Sequence, residues 1–154
     1  MYNSSLEYLH NEFPLREISR FADYDSVSVS QCSTLKEIKS QYNDFGVSNW
    51  LGEVVQYICT ASSIGVDETR KQIASQSILS RFGALKPSEL LWFVNLWLGG
   101  EYGRFYNAQL DVQVLTKALQ KFKQERIDES HAFDEEQPIK PKKDGNECFS
   151  EYLM

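Results

Sequence analysis

Apolar residues recur through residues 33–127 at the three-to-four-residue spacing of a single helix face, and they divide this stretch into five segments. Leu35, Ile38 and Tyr42 fall at i, i+3 and i+7, and Thr34 with Glu37 has capping-box spacing, which predicts a helix over 34–43 with Gly46 as its stop. Trp50, Leu51, Val54, Val55, Ile58 and Cys59 form a broad apolar face that predicts a second helix over 48–62, closed by Gly65. Asp67 is suited to cap a third helix over 67–82, with Ile73, Ala74, Ile78, Leu79 and Phe82 on its buried side and Gly83 as its end. Pro87 stands where a first helical turn tolerates a missing N–H, and Glu89 suits the positive end of the helix dipole. The helix so predicted, 87–98, is apolar nearly all round and is expected at the centre of the fold, with Gly99 and Gly100 as its cap. Asp111 opens a fifth helix over 111–127, with Val114, Leu115, Ala118, Leu119 and Phe122 turned inward. No segment repeats another, which argues against a solenoid.

The two ends read differently. Residues 1–32 are polar and serine-rich and are expected to be an N-terminal arm. A short helix with Leu6, Leu9, Phe13 and Ile18 fits 4–20, although Pro14 interrupts it, and the polar–apolar alternation of 25–30 is read as extended. From 128 the chain is charged, with two prolines and a glycine, and is expected to be a flexible acidic tail. Its last residues, Cys148, Phe149, Ser150, Glu151, Tyr152, Leu153 and Met154, regain apolar character, as an end that folds back or as a short docking peptide. The expected fold is all-α: one compact domain of about five helices at 33–127, between an arm at 1–32 and a tail at 128–154.

Composition and charge narrow the functional classes. A chain of 154 residues, 42% apolar, is long enough for one core. The strongly apolar run 90–98 is half the length that crosses a bilayer, and the N-terminus has neither a basic nor an apolar leader region, so a cytoplasmic protein with no membrane partner is expected. The three cysteines, Cys32, Cys59 and Cys148, form no CxxC or CxxH pair, so neither a disulfide framework nor a zinc site is expected, and Cys59 is read as a core residue. The net charge of -6 is uneven: 31–126 carry eleven basic and nine acidic residues, and 127–154 carry three and eight. The predicted core is therefore mildly basic, and the acid lies in the ends.

No converging catalytic constellation is present, so no catalytic, cofactor-binding or metal-ligating residue is assigned and no enzyme is expected. His10 and His131 both lie in the predicted ends, and neither an HxxxH nor a GxSxG motif occurs. The glycine-rich string at 99–103 lacks the GK[ST] ending of a phosphate loop and follows a helix. A small enzyme would need a pocket gathering Glu101, Arg104, Tyr106 and Asp111. Two surfaces carry more weight. Glu101, Tyr102, Arg104, Phe105 and Tyr106 form an aromatic corner between two helices, in which Arg104 can stack on a ring and Glu101 can pair with Arg104. The corner either fixes the angle between the helices or serves as a recognition surface, since aromatics and arginine dominate interface hot spots. Lys117, Lys121, Lys123 and Arg126 form a basic edge on the last helix, either a solvated face or a phosphate-contacting one.

The stretch Leu35-Lys36-Glu37-Ile38-Lys39 with Tyr42, then Leu85-Lys86 before Glu89-Leu90, then Gly100-Glu101-Tyr102-Gly103-Arg104-Phe105-Tyr106, then Asp111, Leu115 and 122–126 resembles a small helical bacterial family of unknown function. The resemblance covers about 33–128 and leaves both ends outside it. It implies a helical fold and an association with the genomes and mobile elements of gut anaerobes, and it brings no catalytic residue and no cofactor. The expected function is a non-enzymatic adaptor that binds another protein or a second copy of itself. The alternative is a nucleic-acid-associated accessory factor in mobile-element replication or transfer.

Overall fold

The structure, a computed structural model, describes residues 2–23, 27, 32–106 and 108–128. The predicted tail except Asp128, its terminal apolar peptide and His131 lie outside the described residues, as do all of 25–30 except Val27. The fold is all-α: among the described residues there are no strands, only helices and one isolated β-bridge. The helices are α1 (Ser5–Glu12), a 3-10 helix (Leu15–Phe21), α2 (Leu35–Tyr42), α3 (Gly46–Ala61), α4 (Glu68–Phe82), α5 (Pro87–Leu98) and α6 (Val112–Phe122), which runs on as a π-helical segment (Lys123–Asp128).

The expected count of about five helices is therefore too low. The added elements come from the predicted arm. Ser4 accepts the Glu7 N–H and caps α1, and Pro14 separates α1 from the 3-10 helix. Leu9, Phe13, Ile18 and Phe21 are all buried in the same apolar cluster as α3 and α5. The polar spacing of this region hid its packing, because each short element contributes only two or three apolar side chains to a core built mostly by others. Val27 is 5% exposed and donates its N–H to the Asp23 carbonyl.

Local signals set the helix starts where expected. The Thr34 hydroxyl accepts the Glu37 N–H at 3.2 Å while the Glu37 carboxylate accepts the Thr34 N–H at 2.9 Å. Asp67 accepts the Arg70 N–H at 2.7 Å, and Asp111 accepts those of Gln113 and Val114 at 3.0 and 3.2 Å. The N–H groups of Leu35 and Lys36, which have no partner within α2, donate to the Leu85 and Gly83 carbonyls. The start of α2 is thus tied to the loop before α5.

Gly46 has a different role from the one expected. Asn43, in the left-handed region at φ 52°, ends α2, and Gly46 is the first residue of α3. A Cβ on Gly46 would lie 2.1 Å from Ser5 Oγ and 2.4 Å from the Leu6 nitrogen, so glycine is what lets α1 meet α3 there. Asp44 seals the junction by accepting from Ser5 N–H and Oγ–H and from Gly46 N–H. The Ser5 hydroxyl bond holds the Asp44 carboxyl below its ordinary pKa. His10 Nε2 lies 2.8 Å from Glu53 Oε1, a second link between α1 and α3.

α5 is buried on nearly every side, as its all-round apolarity predicts; Leu90, Leu91, Trp92, Phe93, Val94 and Trp97 are each at most 4% exposed. Asn95, in the middle of this apolar run, donates from Nδ2 to the carbonyls of Ile18, Phe21 and Leu91 at 2.9, 3.2 and 3.1 Å. Ile73, expected on the buried side of α4, is instead 50% exposed, because Ala74, Ile78 and Phe82 already occupy the inward stripe. Trp50 is fully buried, and its Nε1–H has no hydrogen-bond partner among the described residues. Burial also raises the Cys59 thiol pKa to about 11, in keeping with a core position.

Candidate functional site

α5 ends in a glycine cap of the Schellman type. The Glu101 N–H donates to the Leu96 carbonyl at 3.0 Å, and Gly100 has a φ of 87°. Gly103 follows with a φ of 92°. A Cβ on either glycine would meet nothing within 4 Å, so backbone conformation rather than space requires them. These two reversals turn the chain sharply between α5 and α6 and set the side chains of 101–106 in alternating environments.

Half of the corner is fastened to the core. Phe105 is 8% exposed and its ring centroid lies 4.9 Å from that of Trp97. Tyr102 packs against Phe93 and Phe122 at 5.8 and 6.3 Å. Glu101 does not pair with Arg104, the local partner expected for it; it accepts from Arg126 Nη2 at 2.6 Å. Arg126 also donates from Nε to the Tyr102 hydroxyl at 3.1 Å, and its guanidinium carbon lies 5.6 Å from the centre of the Trp92 ring. The Tyr102 bond is the largest influence raising the Arg126 pKa, whereas burial outweighs that same bond and raises Tyr102. One arginine thus ties the end of the last helix to the corner 25 residues away.

The other half faces solvent. Tyr106 is 80% exposed, and the Arg104 guanidinium carbon lies 5.8 Å from its ring centre. Leu98, at the end of α5, is 39% exposed. Beyond the corner, Gly65 pairs with the segment at 108–110: its N–H donates to Ala108 at 2.8 Å, and its carbonyl accepts from Leu110 at 3.0 Å. The far side of the corner is thereby anchored to the α3–α4 loop.

The corner and the basic edge overlap in space. Of the basic edge, Arg126 is committed to Glu101 and Tyr102, and Lys123 Nζ lies 3.2 Å from Asp128 Oδ1. Lys117 and Lys121 are exposed. The four residues that a small enzyme would gather are engaged with different partners. Glu101 faces Arg126, Arg104 faces Tyr106, and Asp111 is engaged with the N–H groups of its own helix. Of the four, only Asp111 lines the open cleft of about 540 Å³ formed with Arg70, Gln109, Leu110, Val112 and Gln113. Among the described residues no group of three or more His, Cys, Asp or Glu side chains is placed to hold a metal ion, and no helix is long and apolar enough to cross a membrane. The long-range contacts of Trp92, Trp97 and Arg126 had one trace in the sequence: an aromatic content of 13%, concentrated in and around α5.

Residues 65–153 match the family of unknown function DUF6633, and the chain belongs to that family. The match includes the corner and α6 and extends through the segment after 128, which the resemblance drawn from the motifs left out; residues 33–64, which it included, lie outside the match. No curated protein and no solved structure matches the chain.

Proposed function

We propose that this DUF6633 protein is a non-enzymatic interaction protein, an adaptor or accessory factor that binds another protein through Arg104 and Tyr106. One observation carries the proposal: an exposed arginine–tyrosine pair stands beside Phe105, which is buried against Trp97, on a corner that Arg126 ties to the last helix. The backbone that displays the pair is held by buried Phe105, and arginine and tyrosine are the types on which interface energy concentrates. The matching partner surface is a protein face with a carboxylate for Arg104 beside an apolar groove for the Tyr106 ring. A process carried by mobile elements or phages is the setting that the motif resemblance suggests. The test compares the full chain with Arg104→Ala plus Tyr106→Ala in co-purification from the native cell, followed by titration of the purified partner. Support is a partner bound by the full chain and weakened at least tenfold by the double substitution. Equal recovery by both chains, or none by either, ends the proposal.

The second reading is a nucleic-acid-associated accessory factor. It retains Lys117 and Lys121, exposed and without an ion pair among the described residues, while Lys123 and Arg126 are engaged by carboxylates. Two phosphate contacts correspond to a salt slope of only about -2, so binding is expected at low salt alone. Anisotropy with single- and double-stranded DNA at two salt concentrations tests it, and no binding at the lower one removes it.

A further inference from the structure

A regular α-helix that buries Leu115, Ala118, Leu119 and Phe122 returns to its core face at position 126. The chain has Arg126 there and Ile127 one residue later. The fold nevertheless buries Ile127, at 4% exposed, and leaves Arg126 part-exposed at the flank. It does so by winding Lys123–Asp128 as a π-helix, in which N–H groups reach five residues back instead of four. Five is the separation of Phe122 and Ile127, so the wider turn brings both to one face. The same shift sets Arg126 at the flank of that face, against Glu101, Tyr102 and the Trp92 ring.

We infer that the π register of Lys123–Asp128 is what fastens the corner, with Arg126 as its positioning residue. In the π register Arg126 holds Glu101 and Tyr102. A regular α register would turn Arg126 to the core face and Ile127 outward, and the corner would lose its fastening. The native sequence selects the π register because the alternative desolvates a guanidinium and exposes an isoleucine. An apolar side chain at 126 reverses that preference, since it completes the stripe 115, 118, 119, 122, 126. This coupling belongs to the isolated chain and does not depend on what Arg104 and Tyr106 bind.

The test uses NMR on the full chain, its Arg126→Leu variant and its Glu101→Gln variant, with no partner present. In Arg126→Leu the amides of 123–128 are expected to show an α-helical pattern. The Ile127 methyls are expected to become at least threefold more sensitive to a soluble paramagnetic agent. Amide exchange at 101–106 is expected to quicken at least tenfold while α3 keeps its protection. Glu101→Gln is expected to quicken exchange at 101–106 and leave Ile127 shielded. Three results overturn the inference: Ile127 still shielded in Arg126→Leu, unchanged exchange at the corner, or equal loss of protection in α3. Exposure of Ile127 in Glu101→Gln does so too, because the ion pair rather than the register would then be decisive.

Discussion

The side-chain nitrogen of Asn95 lies 2.9 Å from the carbonyl oxygen of Ile18. The same nitrogen reaches Phe21 O at 3.2 Å, so one amide on the central helix fastens the 3-10 helix of the N-terminal region. Asn95→Ala removes these bonds and is expected to destabilise the fold by about 1–3 kcal/mol. Asn95→Asp keeps the shape but replaces the donor by an acceptor facing carbonyl oxygens, and its loss is expected to be larger. Urea denaturation of both variants checks the order; an aspartate variant no worse than alanine contradicts it.

At Gly46 two effects oppose each other. Alanine favours a helix over glycine by about 1 kcal/mol in a helix interior, and by less at a first position such as this. Its Cβ, however, meets Ser5 Oγ at 2.1 Å and the Leu6 nitrogen at 2.4 Å, and backbone cannot move aside without shifting α1. Gly46→Ala is therefore expected to show a net loss of about 1–3 kcal/mol by thermal or urea unfolding.

The junction also gives stability a pH dependence. Asp44 titrates below its unfolded value because Ser5 and Gly46 donate to its carboxylate. A depressed carboxylate pKa contributes stability that is present above the unfolded pKa, near 3.8, and is lost as pH falls through the folded value. The stability difference between the native chain and Asp44→Ala is expected to be constant from pH 7 to pH 5 and to shrink below about pH 4. Urea midpoints at a series of pH values measure it.

The thiols should separate by burial. Cys59 is fully buried, with a thiol pKa raised to about 11, whereas Cys32 is half-buried. In a Cys32→Ser, Cys148→Ser variant, Cys59 is expected to resist a thiol-specific disulfide reagent at pH 8 and to react fully once urea unfolds the chain. Rapid reaction in the absence of urea would contradict the core position.

Neighbouring residues of the corner should behave oppositely. Phe105 is buried against Trp97, and Phe105→Ala is expected to cost about 3–5 kcal/mol. Tyr106 is 80% exposed, and Tyr106→Ala is expected to change stability by less than about 0.5 kcal/mol. Thermal unfolding of the two variants separates the residue that builds the corner from the residue it displays.

The pattern of residues along the chain suffices to place the helices from α2 to α6 and the starts of all but α3, whose first residue, Gly46, reads as a stop. Periodicity and caps act within one or two turns: Thr34 with Glu37, Asp67 with Arg70, and Asp111 with Val114 are each three residues apart. The same pattern marks α5 as central, since a helix apolar on all sides has no stable place but the interior. Which residues that interior recruits is settled only by packing in three dimensions. Asn95 finds its acceptor 77 residues away, Ser5 finds Asp44 39 residues away, and Arg126 finds Glu101 rather than any partner on its own helix. The role of Gly46 and the π turn before Ile127 follow from the same cause. Gly46 meets a close approach of α1, an element distant in sequence, and the π turn absorbs one extra residue in the core stripe of its own helix. Local spacing reports what a segment prefers, whereas packing decides where the mismatch between neighbouring preferences is absorbed.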